Sequence, residues 1–307
     1  MEQSKSTSPV KKAKKTSEEI ITDLEETGID FSPVGLGPWS HSKLKVLKNC
    51  PLKFYLQYVI KQKPEAEPEI SVITETGKAA HRILEFVLGG KEIGRAYAAT
   101  REEYRKTLTD EQWEENIVSV EYNIQRFKEK IDGFEKAHGI KRILQELRIG
   151  VTKDWEPTGF FSDDVYFRGV IDLVIQLKNG DVVILDHKYG TVSAMGLRNF
   201  QDQLNTYKVM FHKGVEKIVG AQSGIHHIKE GEIVLDTYAD SDEIEESLLG
   251  RIEFSIQGAI DQVQELGFFK HIAGNGCKYC DYRTECKAGK LKEQEKATKK
   301  WFEIKKI

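Results

Sequence analysis

RGVIDLVIQLKNGDVVILDHK, residues 168–188, places two short apolar runs on either side of Lys178-Asn179-Gly180, a turn signal. The local reading is a β-hairpin of two buried strands. Each strand carries one carboxylate, Asp172 and Asp186, and Lys188 follows two residues after the second. Runs such as Val182-Val183-Ile184-Leu185 belong in a sheet interior, where an uncompensated ionised carboxylate is costly. Such groups need a partner, and a divalent metal is the natural one.

Loop length decides whether the two aspartates cooperate. A two-residue Asn179-Gly180 turn would point Asp172 and Asp186 to opposite faces of the sheet. A three-residue loop, with Gly180 supplying the left-handed residue of a bulge, puts Asp172 directly across from Asp186 and Lys188 further along the same face. The second arrangement is expected.

Working outward, a strand signal covers about Arg142 to Val151 and contains Glu146, which points either to solvent or to the carboxylate pair. Thr76 to Leu88 has helical spacing, stops at Gly89-Gly90 and carries His81. Residues 100 to 138 read as one or two amphipathic packing helices, with Trp113, Ile117, Val120, Ile124, Phe127, Ile131 and Phe134 on one stripe. Past Lys188, a helix over Leu197 to His212 sets Gln203 and Tyr207 four apart on one face. A strand over about Lys217 to Ser223, a further pair over Gly224–Lys229 and Glu232–Tyr238, and a long helix from Ser241 to about Leu266 complete the body. Ser40 to about Val59 is helical and restarts at Pro51.

Cys50, Cys277, Cys280 and Cys286 are the cysteines of the chain, the last three spaced Cys-x2-Cys-x5-Cys in a glycine-bearing segment. With no apolar run long enough for a membrane span and no signal-peptide segment, a cytoplasmic protein is expected. Metal or cluster ligation then suits the cysteines better than disulfides. The formal net charge is -3, but basic tails over residues 1–15 and 287–307 leave an acidic body between them. Nucleic-acid contact therefore has to come from local lysine and arginine clusters or from the tails. The chain divides into a flexible basic arm (1–36), one domain (37–287) with a helical insertion at about 95–138 and a cysteine clasp (Cys50 with 268–287), and a basic tail (288–307), whose ends are candidate contacts for a protein partner.

In order, the core is helix, strand, strand, strand, helix, strand. At this point the chain resembles the PD-(D/E)XK nucleases and, within them, the RecB-type exonucleases. Gly169-Val170-Ile171-Asp172 looks like their Gly-x-x-Asp motif, Leu185-Asp186-His187-Lys188 like their (Asp/Glu)-x-Lys motif, and Gln203 to Tyr207 like their Gln-x3-Tyr motif. His81 sits on the helix before the sheet, as in that family. One upstream cysteine and a downstream trio resemble the iron-sulfur branch, typified by the CRISPR-associated exonucleases and the AddB nuclease domain.

The resemblance implies an α/β fold with a restriction-endonuclease-like αβββαβ core and mixed central sheet, flanked by added helices and an iron-sulfur clasp. It implies a Mg2+- or Mn2+-dependent deoxyribonuclease acting on single strands or DNA ends. Asp172, Asp186, His81 and the His187 backbone carbonyl would hold the metal, with Lys188, Gln203 and Tyr207 completing the site and Glu146 a further candidate. Cys50, Cys277, Cys280 and Cys286 would hold a 4Fe-4S cluster, with Zn2+ as the alternative. A DNA-end-binding module with weak or lost cutting, a sequence-specific endonuclease, and a plain buried Asp–Lys ion pair are the competing readings.

Overall fold

The computed structural model describes residues 32–64, 71–190, 194–266, 270–274, 276–277, 280–283 and 286. Both basic tails beyond these limits lie outside the described residues. The helices are α1 (His41–Asn49), α2 (Pro51–Phe54), α3 (Val72–Leu88), α4 (Ile93–Tyr104), α5 (Asp110–Asn116), α6 (Glu121–His138), α7 (Ala194–Gly214) and α8 (Leu249–Leu266). The strands are β1 (Ile140–Val151), β2 (Pro157–Thr158), β3 (Phe167–Leu177), β4 (Val182–Lys188), β5 (Gly220–His227), β6 (Glu232–Leu235) and β7 (Ala239–Asp240). They form one sheet in the order β2-β1-β3-β4-β5-β6, with β7 also on β5; only β4 and β5 run parallel. The core is thus αβββαβ around a mixed sheet, because α7 carries the chain back over the sheet between β4 and β5.

Both faces of the sheet are covered. On one, Val209, Met210 and Phe211 of α7 and Ile252, Ile256 and Ile260 of α8 pack with Ile171, Ile184 and Trp39. On the other, Ala80, Ile83 and Leu84 of α3 and Ile124, Phe127 and Ile131 of α6 pack with Leu173, Ile175 and Leu185. Burial on both faces explains the near-continuous apolar runs of β3 and β4.

The β3–β4 pairing runs Leu173↔Leu185 to Gln176↔Val182. Leu177 and Asp181 close the loop, the Leu177 N–H donating to the Asp181 carbonyl at 2.9 Å. The connection is therefore the three-residue Lys178-Asn179-Gly180, with Gly180 at φ +94°. Asn179 fits the turn because its Oδ1 accepts the Asp181 N–H at 3.0 Å.

The alternation of faces breaks where β1 and β3 meet the site. On β3, Ile171 lies in the α7 core but Leu173 lies in the α3 core; on β1, Leu147 and Leu144 face the first core and Ile143 the second. The ladder resumes in the same register on both sides, Gln145↔Leu173 and Leu147↔Ile171, skipping Glu146 and Asp172. Glu146 absorbs the change with φ +47°, a left-handed conformation rare for a non-glycine residue. This local twist frees two carboxylates from a dry ladder.

Three expectations need correction. The region from 217 to 229 holds one strand, β5, rather than two. Gly224 is a close-approach residue, since a Cβ there would lie 2.7 Å from the Val234 carbonyl oxygen of β6. The insertion forms three α-helices rather than one or two, because Thr109 caps α5 in a reciprocal bond pair with Gln112. The helix bearing His81 begins at Val72, before the expected Thr76.

Gly180 joins a positive φ to crowding, with a Cβ placed 2.8 Å from Val219 Cγ2. Gly180→Ala is expected to lower stability by about 1–3 kcal/mol, read from urea unfolding midpoints. An unchanged midpoint would show that the turn does not constrain the hairpin.

Candidate active site

The end of the β3–β4 hairpin gathers the acidic groups. One ligand atom each from His81 (α3), Glu146 (β1) and Asp172 (β3) lies within 4.8 Å of the others. His81 Nδ1 is 3.8 Å from Asp172 Oδ2. His187 serves both groups: its N–H donates to Asp172 Oδ2 at 2.8 Å, and its ring meets that of His81 edge-on at 5.7 Å. Glu146, which the sequence left between solvent and site, stays exposed but belongs to this group.

Asp186 lies beside them, almost wholly buried. Its Oδ1 accepts from Gln203 Nε2 at 3.1 Å, and the same amide donates to the Tyr207 hydroxyl at 2.7 Å. Lys188 Nζ is 2.6 Å from Asp186 Oδ2. That contact is close in distance but lacks the directionality of a hydrogen bond, so Oδ2 keeps a lone pair without a directed donor. The Asp–Lys ion pair is therefore present, while Asp172 and Glu146 feel cations only through space, Lys188 for the first and Arg148 and Arg82 for the second.

Crowding and burial perturb every acid here. Loss of hydration, then the charge of Asp172, pushes Asp186 up to about 6 against the pull of Lys188. Loss of hydration also raises Asp172, against the His187 N–H and Lys188. Glu146 rises to about 7, first from desolvation and then from Asp172. His81 is lowered by desolvation and by Lys188, which favours the neutral imidazole that binds metals. Tyr207 is pushed far up by burial, then by Asp186, so it serves as a neutral hydrogen-bond partner. Raised acids and a neutral imidazole gathered around one lysine have the donor types that suit a divalent cation.

Sequence reasoning missed the support behind the site. His187 and His226 are buried and paired through their Nδ1 atoms at 3.0 Å. Phe127 of the insertion stacks on His226 with ring centres 3.8 Å apart and meets His187 edge-on at 5.7 Å. The insertion thus braces the strand whose backbone contacts the metal-type group. His187 was a visible signal between Asp186 and Lys188, but a single strand register cannot show that Phe127 reaches it.

Cys50, Cys277, Cys280 and Cys286 line a single pocket with apolar Leu52, Leu56 and Ile272. Backbone and side-chain bonds tie the segments together: Leu52 N–H to the Lys270 carbonyl at 3.3 Å, and the Tyr282 hydroxyl to the Gln62 carbonyl at 2.8 Å. Burial raises the Cys280 thiol, against a backbone N–H of Tyr282, so a thiolate there needs a bound cation. No three of these described sulfurs fall within 4.8 Å of one another.

The family model described as the PD-(D/E)XK nuclease superfamily matches residues 38–287. A search of curated proteins gives no match. Among solved structures, a protein from Eubacterium rectale named provisionally as an exonuclease aligns at 12% identity and TM-score 0.41, covering 80% of this chain and 88% of that one. SSO0001 aligns at 14% identity and TM-score 0.30, covering 81% and 95%. The family match spans the hairpin, both flanking helices and all four cysteines, and the chain belongs to the PD-(D/E)XK nuclease superfamily.

Proposed function

We propose that this protein is a metal-dependent DNA exonuclease that hydrolyses phosphodiester bonds on single strands or DNA ends. The observation that carries the reading is the convergence of His81, Glu146 and Asp172 within 4.8 Å beside the Asp186–Lys188 pair. Asp172, Asp186, His81 and the His187 carbonyl would hold Mg2+ or Mn2+, with Glu146 as a further ligand. When bound, the divalent ion offsets negative charge in the transition state and makes water a better nucleophile near neutral pH. Lys188 orients the attacking water and offsets charge on the phosphate. Gln203 fixes one oxygen of Asp186, and Tyr207 fixes Gln203, so the pair positions the carboxylate rather than performing chemistry.

The cysteine pocket supports a 4Fe-4S cluster joining the two ends of the domain. Four sulfur donors and apolar walls around one pocket fit that group. Anaerobically purified protein is expected to be brown and to contain iron and sulfide, and Cys280→Ala is expected to lose both along with thermal stability. Stoichiometric zinc without visible absorption would overturn this assignment.

On end-labelled DNA with Mg2+ or Mn2+, Asp186→Ala and Lys188→Ala are expected to lose activity by roughly 10²-fold or more. Circular single strands are expected to survive. Equal cleavage by the wild type and both variants would overturn the catalytic assignment, and cutting of circles would favour an endonuclease.

The raised acids also set a pH dependence. A carboxyl whose pKa is higher in the fold than in the unfolded chain stabilises the metal-free fold at low pH, and loses that contribution as pH rises through the folded value. For Asp186 and Glu146 this occurs up to about 6 and about 7. A divalent ion binds the ionised forms, so Mg2+ or Mn2+ should raise the thermal midpoint clearly at about pH 8 and little at about pH 5. Glu146→Gln should flatten the metal-free loss over that range. A midpoint gain independent of pH would show that these acids are not the ligands.

A further inference from the structure

We propose that Phe160 and Phe161, with Arg148 and Arg168, form a platform on which a single strand of nucleic acid stacks its bases and rests its phosphates. The proposal deepens the nuclease reading and rests on it. Phe161 is 74% exposed, unusual for a large aromatic ring, and Phe160 meets it edge-to-face at 4.9 Å. The loop beneath them is held in place. Ser162 N–H bonds the Gly159 carbonyl at 3.0 Å, and Thr158 Oγ1 bonds Asp164 at 2.7 Å. At its base, buried Trp155 stacks on Phe167 at 5.7 Å and donates to Glu253 at 2.9 Å.

Two guanidinium groups attend these rings. Arg168 lies 5.2 Å from the Phe160 ring centre and 5.9 Å from that of Phe161, and Arg148 lies 6.0 Å from Phe160. Arg168 donates to the Phe160 carbonyl at 3.3 Å. Neither arginine makes a salt bridge among the described residues. Arg148 acts on Glu146 only through space, and aromatic faces beside guanidinium groups outside any salt bridge suit bases and phosphates together. Exposed Asp163 and Asp164 flank the loop, but Asp164 is held by Thr158.

Position links the cluster to the site. Phe167 and Ile171 face the α7 core, so Arg168 and Val170 point away from it, to the side from which His81 of α3 meets Asp172 at 3.8 Å. On β1, Leu147, Ile149 and Val151 face the same α7 core, which leaves Arg148 on the side of Glu146. The ladder pairs Arg148 with Val170 and Gly150 with Arg168. At about 3.3 Å per residue, Arg148 is roughly 7 Å along its strand from Glu146, and Arg168 roughly 13 Å from Asp172. The platform therefore extends the metal-bearing face along the two strands, where a strand threaded to the site would lie.

Binding of a fluorescent single-stranded oligonucleotide in EDTA, which blocks cutting, tests this by anisotropy. Phe160→Ala/Phe161→Ala is expected to weaken binding roughly 5- to 100-fold, with a smaller effect on blunt duplex of equal length. Arg148→Ala/Arg168→Ala is expected to reduce the salt slope by about 0.7 for each phosphate that is no longer neutralised. Ile73→Ala, at a side chain 73% exposed on α3, serves as the control and should bind as the wild type does. Thermal midpoints report whether each variant is folded. Single-strand affinity of the folded phenylalanine variant within about twofold of wild type, or equal loss on duplex, would overturn the platform. A wild type that binds no single strand overturns it too. One that binds through the platform but does not cut with Mg2+ or Mn2+ overturns the nuclease reading alone.

Discussion

Three carboxylates crowded at the end of a dry sheet are the constraint on which the rest of the structure depends. Asp172 and Asp186 lie just past the last ladder pair of the hairpin, Leu173↔Leu185, and Glu146 joins them from the neighbouring strand. Their mutual repulsion and lost hydration would favour any rearrangement that separates them. The fold holds them through a fixed turn at Gly180, a left-handed residue at Glu146, and the His187 N–H on Asp172. Lys188 supplies one positive charge at 2.6 Å, which is too little for three acids. The remaining deficit is what suits the site to a divalent cation.

The architecture can be understood as support for that deficit. α7 brings Gln203 and Tyr207 to one side of Asp186, and its close approach to β3 needs Gly169, where a Cβ would lie 3.0 Å from Met210 Sδ. The Gly-x-x-Asp motif thus has a packing reason as well as a chemical one. On the other face α3 presents His81, and α6 presses Phe127 on the buried His187–His226 pair. The cysteine pocket joins chain segments far apart in sequence.

Much of the fold was legible because strand periodicity and turn chemistry are local. The hairpin, its three-residue loop and the helix ending at Gly89-Gly90 all follow from neighbouring residues. The misreadings have one cause. Gly224 looks like a strand break when its real neighbour is β6, and the stripe over residues 100–138 looks like one or two helices when the Thr109 cap starts a separate one. In both, a residue's meaning depends on a partner that the local pattern does not name.

The same division applies to the site. The sequence by itself determined the three-residue turn at Gly180 and the register it imposes on the strands that carry Asp172, Asp186 and Lys188. It also determined that Gln203 and Tyr207 share a helix face. Only the tertiary structure decided that Glu146 turns into the metal-type group, that Cys50 meets the C-terminal trio, and that Phe160 and Phe161 stand with two arginines on the same sheet face. Those outcomes depend on a face switch in β1 and on contacts between distant segments. Such contacts are set by how whole elements pack, and periodicity within one element carries no information about them.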